Sequence, residues 1–168
     1  MGLGGHTNEM FRLLSGIDRN IYKPRTYAIA STDAMSSKKL LQFEQECTND
    51  INVSIIERSR HVGQNYFTSI FTTIWAFFTV IPLVYRIRPK VILINGPGTC
   101  IPIIIASLLL ALLFIIKRPK IVFVESICRV QTLSLTGKIL CYLPVNILVQ
   151  WPQLTEKYPK TQYIGRLV

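Results

Sequence analysis

The chain is 168 residues long, 49% apolar and only 17% charged, yet nineteen Lys and Arg against nine Asp and Glu leave a formal charge of +10. A chain of that length and apolarity closes a core without disulfides or metal, which excludes a disordered basic tail and argues against a basic nucleic-acid module. The charge is uneven: residues 1–57 carry a net of −1 and residues 58–168 a net of +11, a pattern suited to an anionic and amphipathic partner such as a membrane surface.

In chain order, the glycine turn Gly2-Leu3-Gly4-Gly5-His6-Thr7 opens a helix over Thr7–Gly16. Short β-branched runs then alternate with longer helical ones. The runs predict strands at Arg25–Ala30, Asn52–Glu57, Lys90–Ile94, Lys120–Glu125 and Asn146–Gln150. Between them lie helices over Asp33–Cys47, Gly63–Arg86, Thr99–Ile116 and Leu133–Leu143. The strands are continuously apolar rather than alternating, as for strands covered on both faces. The fold expected is α/β, a Rossmann-like parallel sheet with helices on both faces. In such a sheet a glycine turn of the first kind follows a central strand. Here it follows the initiator Met, so the expectation is a single domain over residues 1–168 of an N-terminally short form of a longer protein.

Two stretches raise the question of a membrane span. Asn65 to Tyr85 is free of charge but interrupted by Thr68, Ser69, Thr72, Thr73 and Thr79; Ile101 to Ile116 is apolar but only about 24 Å long as a helix. Both fit better as buried helices or helices lying in a bilayer surface. Cys47, Cys100, Cys128 and Cys141 form no CxxC pair and have no His at ligand spacing, which predicts reduced thiols and no metal. The sequon Asn52-Val53-Ser54 is expected to be unused, and the Met1-Gly2 start lacks the hydroxyl residue at position 6 that myristoylation requires.

Three loops lie at predicted strand ends, where ligands collect in this architecture. In the first, Gly4 and Gly5 would let backbone N–H groups approach an anion at the helix N-terminus, beside Thr7. His6 could act there as a base near neutral pH, or simply cap the helix. Thr7 stands where the dinucleotide fingerprint needs glycine, so no nicotinamide or flavin cofactor is expected. In the second loop, Asn95-Gly96-Pro97-Gly98-Thr99, two glycines flank a proline; this is either a plain strand-to-helix turn or a close backbone approach to a ligand. In the third, Glu125 ends an apolar strand. A carboxylate there costs energy unless it is paired, for which Arg129 is at hand, or recognises hydroxyls.

Taken in order, GGHT with its following Glu, NGPGT with Pro102, VFVES…CR, LSLTGKIL and VQWPQL resemble the asparagine-linked glycosylation protein fourteen family, over nearly all residues from Gly4 to Val168. The resemblance implies the N-terminal, acceptor-binding half of a GT-B glycosyltransferase, completed by a separate catalytic UDP-GlcNAc transferase subunit in a heterodimer. The family serves N-glycosylation, recruiting that partner to the cytosolic face of the endoplasmic reticulum membrane. There the pair adds the second GlcNAc to the lipid-linked acceptor dolichyl diphosphate-GlcNAc. Carried over, His6 and Glu125 become candidates for the base. Gly4, Gly5, Thr7, Asn95, Gly96, Gly98 and Arg129 become candidates for holding the acceptor diphosphate. Gly165, Arg166, Leu167 and Val168 would dock on the partner. Leu3 stands where the family usually has Ser, and the strand and hydrophobic anchor that precede this loop in the family have no counterpart here. Membrane contact is then expected from the Tyr66–Tyr85 and Ile101–Ile116 helices and the basic surface.

Two readings compete. A self-contained nucleotide-binding enzyme would need the fingerprint that Thr7 breaks, and a membrane scaffold without an acceptor site would tolerate loss of His6 and Glu125. Nucleic acid is not an expected partner, because the basic residues are not interleaved with exposed stacking aromatics.

Overall fold

A computed structural model describes residues 5–18, 20–31, 33–44, 51–57, 66–96 and 98–168. Gly4, Cys47, Gly63 and Pro97 lie outside the described residues.

The alternation seen in the sequence is realised as α1 (Gly5–Ser15), β1 (Arg25–Ala30), α2 (Ala34–Phe43), β2 (Ile51–Ile56), α3 (Tyr66–Ile87), β3 (Val91–Asn95), α4 (Ile101–Leu112), β4 (Lys120–Val124), α5 (Leu135–Leu140), β5 (Asn146–Leu148), α6 (Gln153–Lys157) and β6 (Thr161–Gln162). A 3-10 turn, Gly98–Cys100, leads into α4. Every ladder among the described residues is parallel, with Arg25 opposite Ile51, Val91 opposite Lys120, Val122 opposite Asn146 and Ile147 opposite Thr161. The chain is thus an α/β protein of parallel sheets flanked by helices.

The sheet itself differs from the single one expected. Among the described residues β1 and β2 pair only with each other, while β3-β4-β5-β6 form a separate four-stranded sheet in that order. Two short elements, α6 and β6, were not expected: five and two residues are too few to show a period. The helix predicted over Thr99–Ile116 starts with the 3-10 turn and stops at Leu112, and the one over Leu133–Leu143 shrinks to Leu135–Leu140.

Local chemistry accounts for the helix ends. Asp33 caps α2 by accepting the Ser36 N–H at 3.1 Å, and Ser134 caps α5 by accepting the Gly137 N–H at 3.0 Å. Pro102 sits in the first turn of α4, where its missing N–H would be unpaired in any case.

The core has two parts. Phe123, Ile121 and Ile147 of the larger sheet pack with Ile104 of α4 and Leu140 of α5. Ile56 of β2 packs with Val80 and Val84 of α3 and with Ala106 and Leu110 of α4. The outer sides of α3 and α4 leave Phe71, Trp75, Phe78, Leu109 and Leu112 exposed. No helix among the described residues is long and apolar enough to cross a membrane.

Candidate functional site

Because all strands of the larger sheet run the same way, the residues that follow β3 and β4 emerge at one edge, and the start of α1 joins them there. Asn95 ends β3 and is buried. Gly96 follows with φ +87, a backbone conformation that residues with a Cβ rarely adopt. The His6 ring occupies the space a side chain would take: a Cβ on Gly96 would lie 2.4 Å from Nδ1. Glycine is needed at position 96 twice over, for its backbone and for the imidazole laid on it.

His6 Nδ1 lies 3.2 Å from Asn95 Oδ1 and 3.4 Å from Glu9 Oε2. An ionised carboxylate and an amide oxygen only accept hydrogen bonds, so Nδ1 is the nitrogen that carries the proton in the neutral ring. The His6 side chain is 43% exposed while that of Glu9 is 11% exposed, so the acid sits behind the imidazole rather than in front of it.

Glu9 also reaches the third loop. Its Oε1 accepts the Ser126 hydroxyl at 2.8 Å and the Ile127 N–H at 3.3 Å. The carboxylate therefore ties helix α1 to the segment after β4 while orienting the histidine. Glu9 is the candidate site residue that the sequence reading left without a role. Its signal was available, an acid one helical turn after a histidine, where the two side chains share a helix face.

Glu125 is 1% exposed and faces donors on both oxygens. Oε2 accepts the N–H and hydroxyl of Ser134 at 2.8 and 2.9 Å, and Oε1 accepts the Ser126 N–H at 3.2 Å. Gly137 seals it in, since a Cβ there would lie 2.6 Å from Oε2. The pairing with Arg129 left open above does not occur: Arg129 is exposed, and Ser134 and Ser126 satisfy the carboxylate instead.

The other predicted residues divide. Gly5 opens α1 with open space beside it, and Thr7 shares a 2.6 Å hydrogen bond with Ser36 that links the starts of α1 and α2. Gly98 begins the 3-10 turn, and a Cβ there would lie 3.7 Å from Thr136 Oγ1 of α5. The chain's end folds back on its own domain: the Leu167 N–H donates to Gln150 Oε1 at 2.8 Å, and Arg166 lies 4.3 Å over the Trp151 ring. Trp151 Nε1–H in turn donates to the Ile127 carbonyl at 2.8 Å, so the tail connects through one tryptophan to the loop that Glu9 holds. Gly165, at φ +103, begins that return, and Val168 ends it half-buried.

Burial pushes the Cys100 thiol up to about 12, which leaves it protonated and unreactive at neutral pH. Cys100, Cys128 and Cys141 are free thiols. Among the described residues no three His, Cys, Asp or Glu converge as metal ligands would. Asn95 Nδ2 is buried without a partner beside His6, a spare donor at the same edge. The arrangement can supply three things: a histidine with one nitrogen pinned and the other basic, glycine backbone close to it, and a helix N-terminus of positive dipole.

Comparison with known proteins shows the family. The family model described as "Oligosaccharide biosynthesis protein Alg14 like" matches residues 1–167. Curated relatives named UDP-N-acetylglucosamine transferase subunit ALG14 are 48% identical in Mus musculus and 47% identical in Homo sapiens, each over 99% of this chain and 80% of the relative. The namesake in Yarrowia lipolytica is 42% identical over 100% of this chain and 79% of the relative. No solved structure matches the chain. With a family model matched over nearly the whole chain and curated relatives at 42–48% identity, the chain belongs to the Alg14 family of oligosaccharide biosynthesis proteins.

Proposed function

We propose that the chain is the accessory, acceptor-binding subunit of a UDP-N-acetylglucosamine transferase. It would work as the N-terminal half of a GT-B enzyme whose other half is a separate catalytic subunit. The acceptor is dolichyl diphosphate-GlcNAc, and the reaction adds the second GlcNAc on the cytosolic face of the endoplasmic reticulum membrane. The names of the relatives support the transferase role. The observation that carries the acceptor site is His6, laid on Gly96 with Nδ1 held by Glu9 and Asn95.

In this mechanism the acceptor diphosphate lies against the N–H groups at the start of α1 and of the Gly96 and Gly98 turns, with exposed Arg129 adding charge. The attacking sugar hydroxyl gives its proton to His6 Nε2 as its oxygen bonds to the anomeric carbon of the donor sugar. The bond from that carbon to UDP breaks, and UDP leaves on the partner's side. Glu9 stabilises the imidazolium that forms, as a carboxylate behind a histidine does in other acid–base systems. Of the two candidates for the base, His6 is favoured by its exposure, because Glu125 already holds three protein donors and serves to position the third loop.

The lipid part of the acceptor stays in the bilayer, and the exposed apolar sides of α3 and α4 are the surface that meets it. The tail of Gly165, Arg166, Leu167 and Val168 would dock on the catalytic partner. The test is transfer of GlcNAc from UDP-GlcNAc to the lipid acceptor by the chain with and without its catalytic partner, for wild type and His6→Ala. Neither subunit alone should turn over, and His6→Ala should fail in the mixture. Full activity of His6→Ala would leave a scaffold without an acceptor site.

A further inference from the structure

The opposite edge of the larger sheet, where β4 and β5 begin, has a chemistry of its own. A cavity of about 410 Å³ opens there, lined by Arg118, Lys120 and Lys160 over Ile121 and Val145, with no carboxylate in its wall. Lys160 is fixed in place, its Nζ donating to the carbonyls of Cys141 and Leu143 at 2.6 Å each. Lys90 is drawn to the same edge, since its carbonyl accepts the Lys120 N–H at 2.9 Å. No Asp or Glu occurs between Arg86 and Lys120 to offset these charges. Arg118, Lys120 and Lys160 are all exposed, so an anion entering the cavity would meet their charges.

Two aromatic side chains stand at this edge with almost no protein around them. Phe114, before β4, is 94% exposed, and Tyr142, before β5, is 90% exposed. The backbone at Phe114 is strained as well. It closes the α4 C-terminus in the left-handed conformation, φ 58, with its N–H on the Ala111 carbonyl at 3.1 Å and the Ile115 N–H on the Leu110 carbonyl at 2.9 Å. That turn normally takes glycine, and a bulky residue there costs the fold about 1 kcal/mol. The fold gains little packing from Phe114 in return.

We infer that this edge docks on anionic phospholipid headgroups: the lipid phosphate seats among Arg118, Lys120 and Lys160 while Phe114 and Tyr142 enter the interfacial layer. Charge and exposed aromatics side by side suit an anionic bilayer surface, and free phosphate, which has no apolar part, would gain nothing from the aromatics. The inference rests on the membrane-surface reading above in its choice of partner. It adds a second anchor about 17 Å of strand away from the acceptor edge, so that α3 and α4 lie along the bilayer between two fixed ends.

The test uses the full 168-residue chain and sedimentation with vesicles of phosphatidylcholine alone or mixed with phosphatidylserine. Wild type should prefer the anionic vesicles, and Arg118→Gln with Lys120→Gln should weaken that binding about 30-fold. Phe114→Gly separates function from folding: thermal stability should rise as the strain is released, while vesicle binding falls about tenfold. Equal vesicle binding by wild type and these variants would overturn the second anchor and leave the α3 and α4 face intact. No binding by wild type would overturn both. Loss of inorganic phosphate binding in the Gln variants without loss of vesicle binding would overturn it in favour of a free-phosphate site.

Discussion

At the residue scale the account turns on which nitrogen of His6 carries the proton. Glu9 and Asn95 fix that at Nδ1, so Glu9→Gln is the sharpest probe. The amide keeps an acceptor for Ser126 and Ile127, and the fold should hold; the imidazolium loses its carboxylate, and kcat in the partner-complemented transfer should fall about 10- to 100-fold with the donor KM unchanged. A drop in stability equal to the drop in activity would make Glu9 merely structural. A second probe lies away from the site. Buried Glu44 accepts from Arg25 at 3.0 Å and from the Tyr27 hydroxyl, and burial followed by the Glu44 hydrogen bond and charge pushes Tyr27 from 10.0 up to about 12. The neutral phenol is thus favoured in the fold. Its contribution is complete below pH 10 and is lost as pH rises toward 12. Denaturation midpoints should fall in that window for wild type and fall less for Tyr27→Phe, which starts lower.

At the element scale, the short helix α5 is held by one hydroxyl with two duties. Ser134 Oγ accepts from Gly137 and donates to Glu125, so Ser134→Ala should cost about 1–2 kcal/mol in urea denaturation, more than a solvent-exposed cap would. Strand and helix positions were largely legible in the sequence because the periods are strong where elements are long: β1 spans the residues expected and α3 differs by only a few. What could not be read was long-range. Nothing in a one-dimensional pattern says that, among the described residues, β1 and β2 pair only with each other, or that Glu125 turns inward to Ser134 rather than outward to Arg129. Both outcomes depend on which groups satisfy a buried donor or acceptor once the chain has closed. The glycine of the second loop was legible as a turn, but its deeper reason, the His6 ring from a helix far back in sequence, appears only in three dimensions.

At the scale of the whole molecule, the uneven charge of the sequence has a spatial meaning. The acidic side chains Glu9 and Glu125 are consumed by internal hydrogen bonds, whereas Arg129 and the cations around α4 face outward. An outward surface of cations beside the exposed apolar sides of α3 and α4 predicts that Phe71→Ser with Trp75→Ser weakens binding to anionic vesicles without lowering the thermal midpoint, since neither side chain is in the core. A lowered midpoint would show that these residues serve packing instead.

The central claim, that His6 is the base of an acceptor site completed by another chain, is tested most directly by the rate of GlcNAc transfer from UDP-GlcNAc to dolichyl diphosphate-GlcNAc in the reconstituted two-subunit enzyme. The account predicts no turnover by this chain alone, turnover when the catalytic partner is added, and a loss of roughly 10²- to 10⁴-fold in kcat for His6→Ala with the complex still assembled. Wild-type kcat in the His6→Ala complex, or turnover by this chain without its partner, would contradict it.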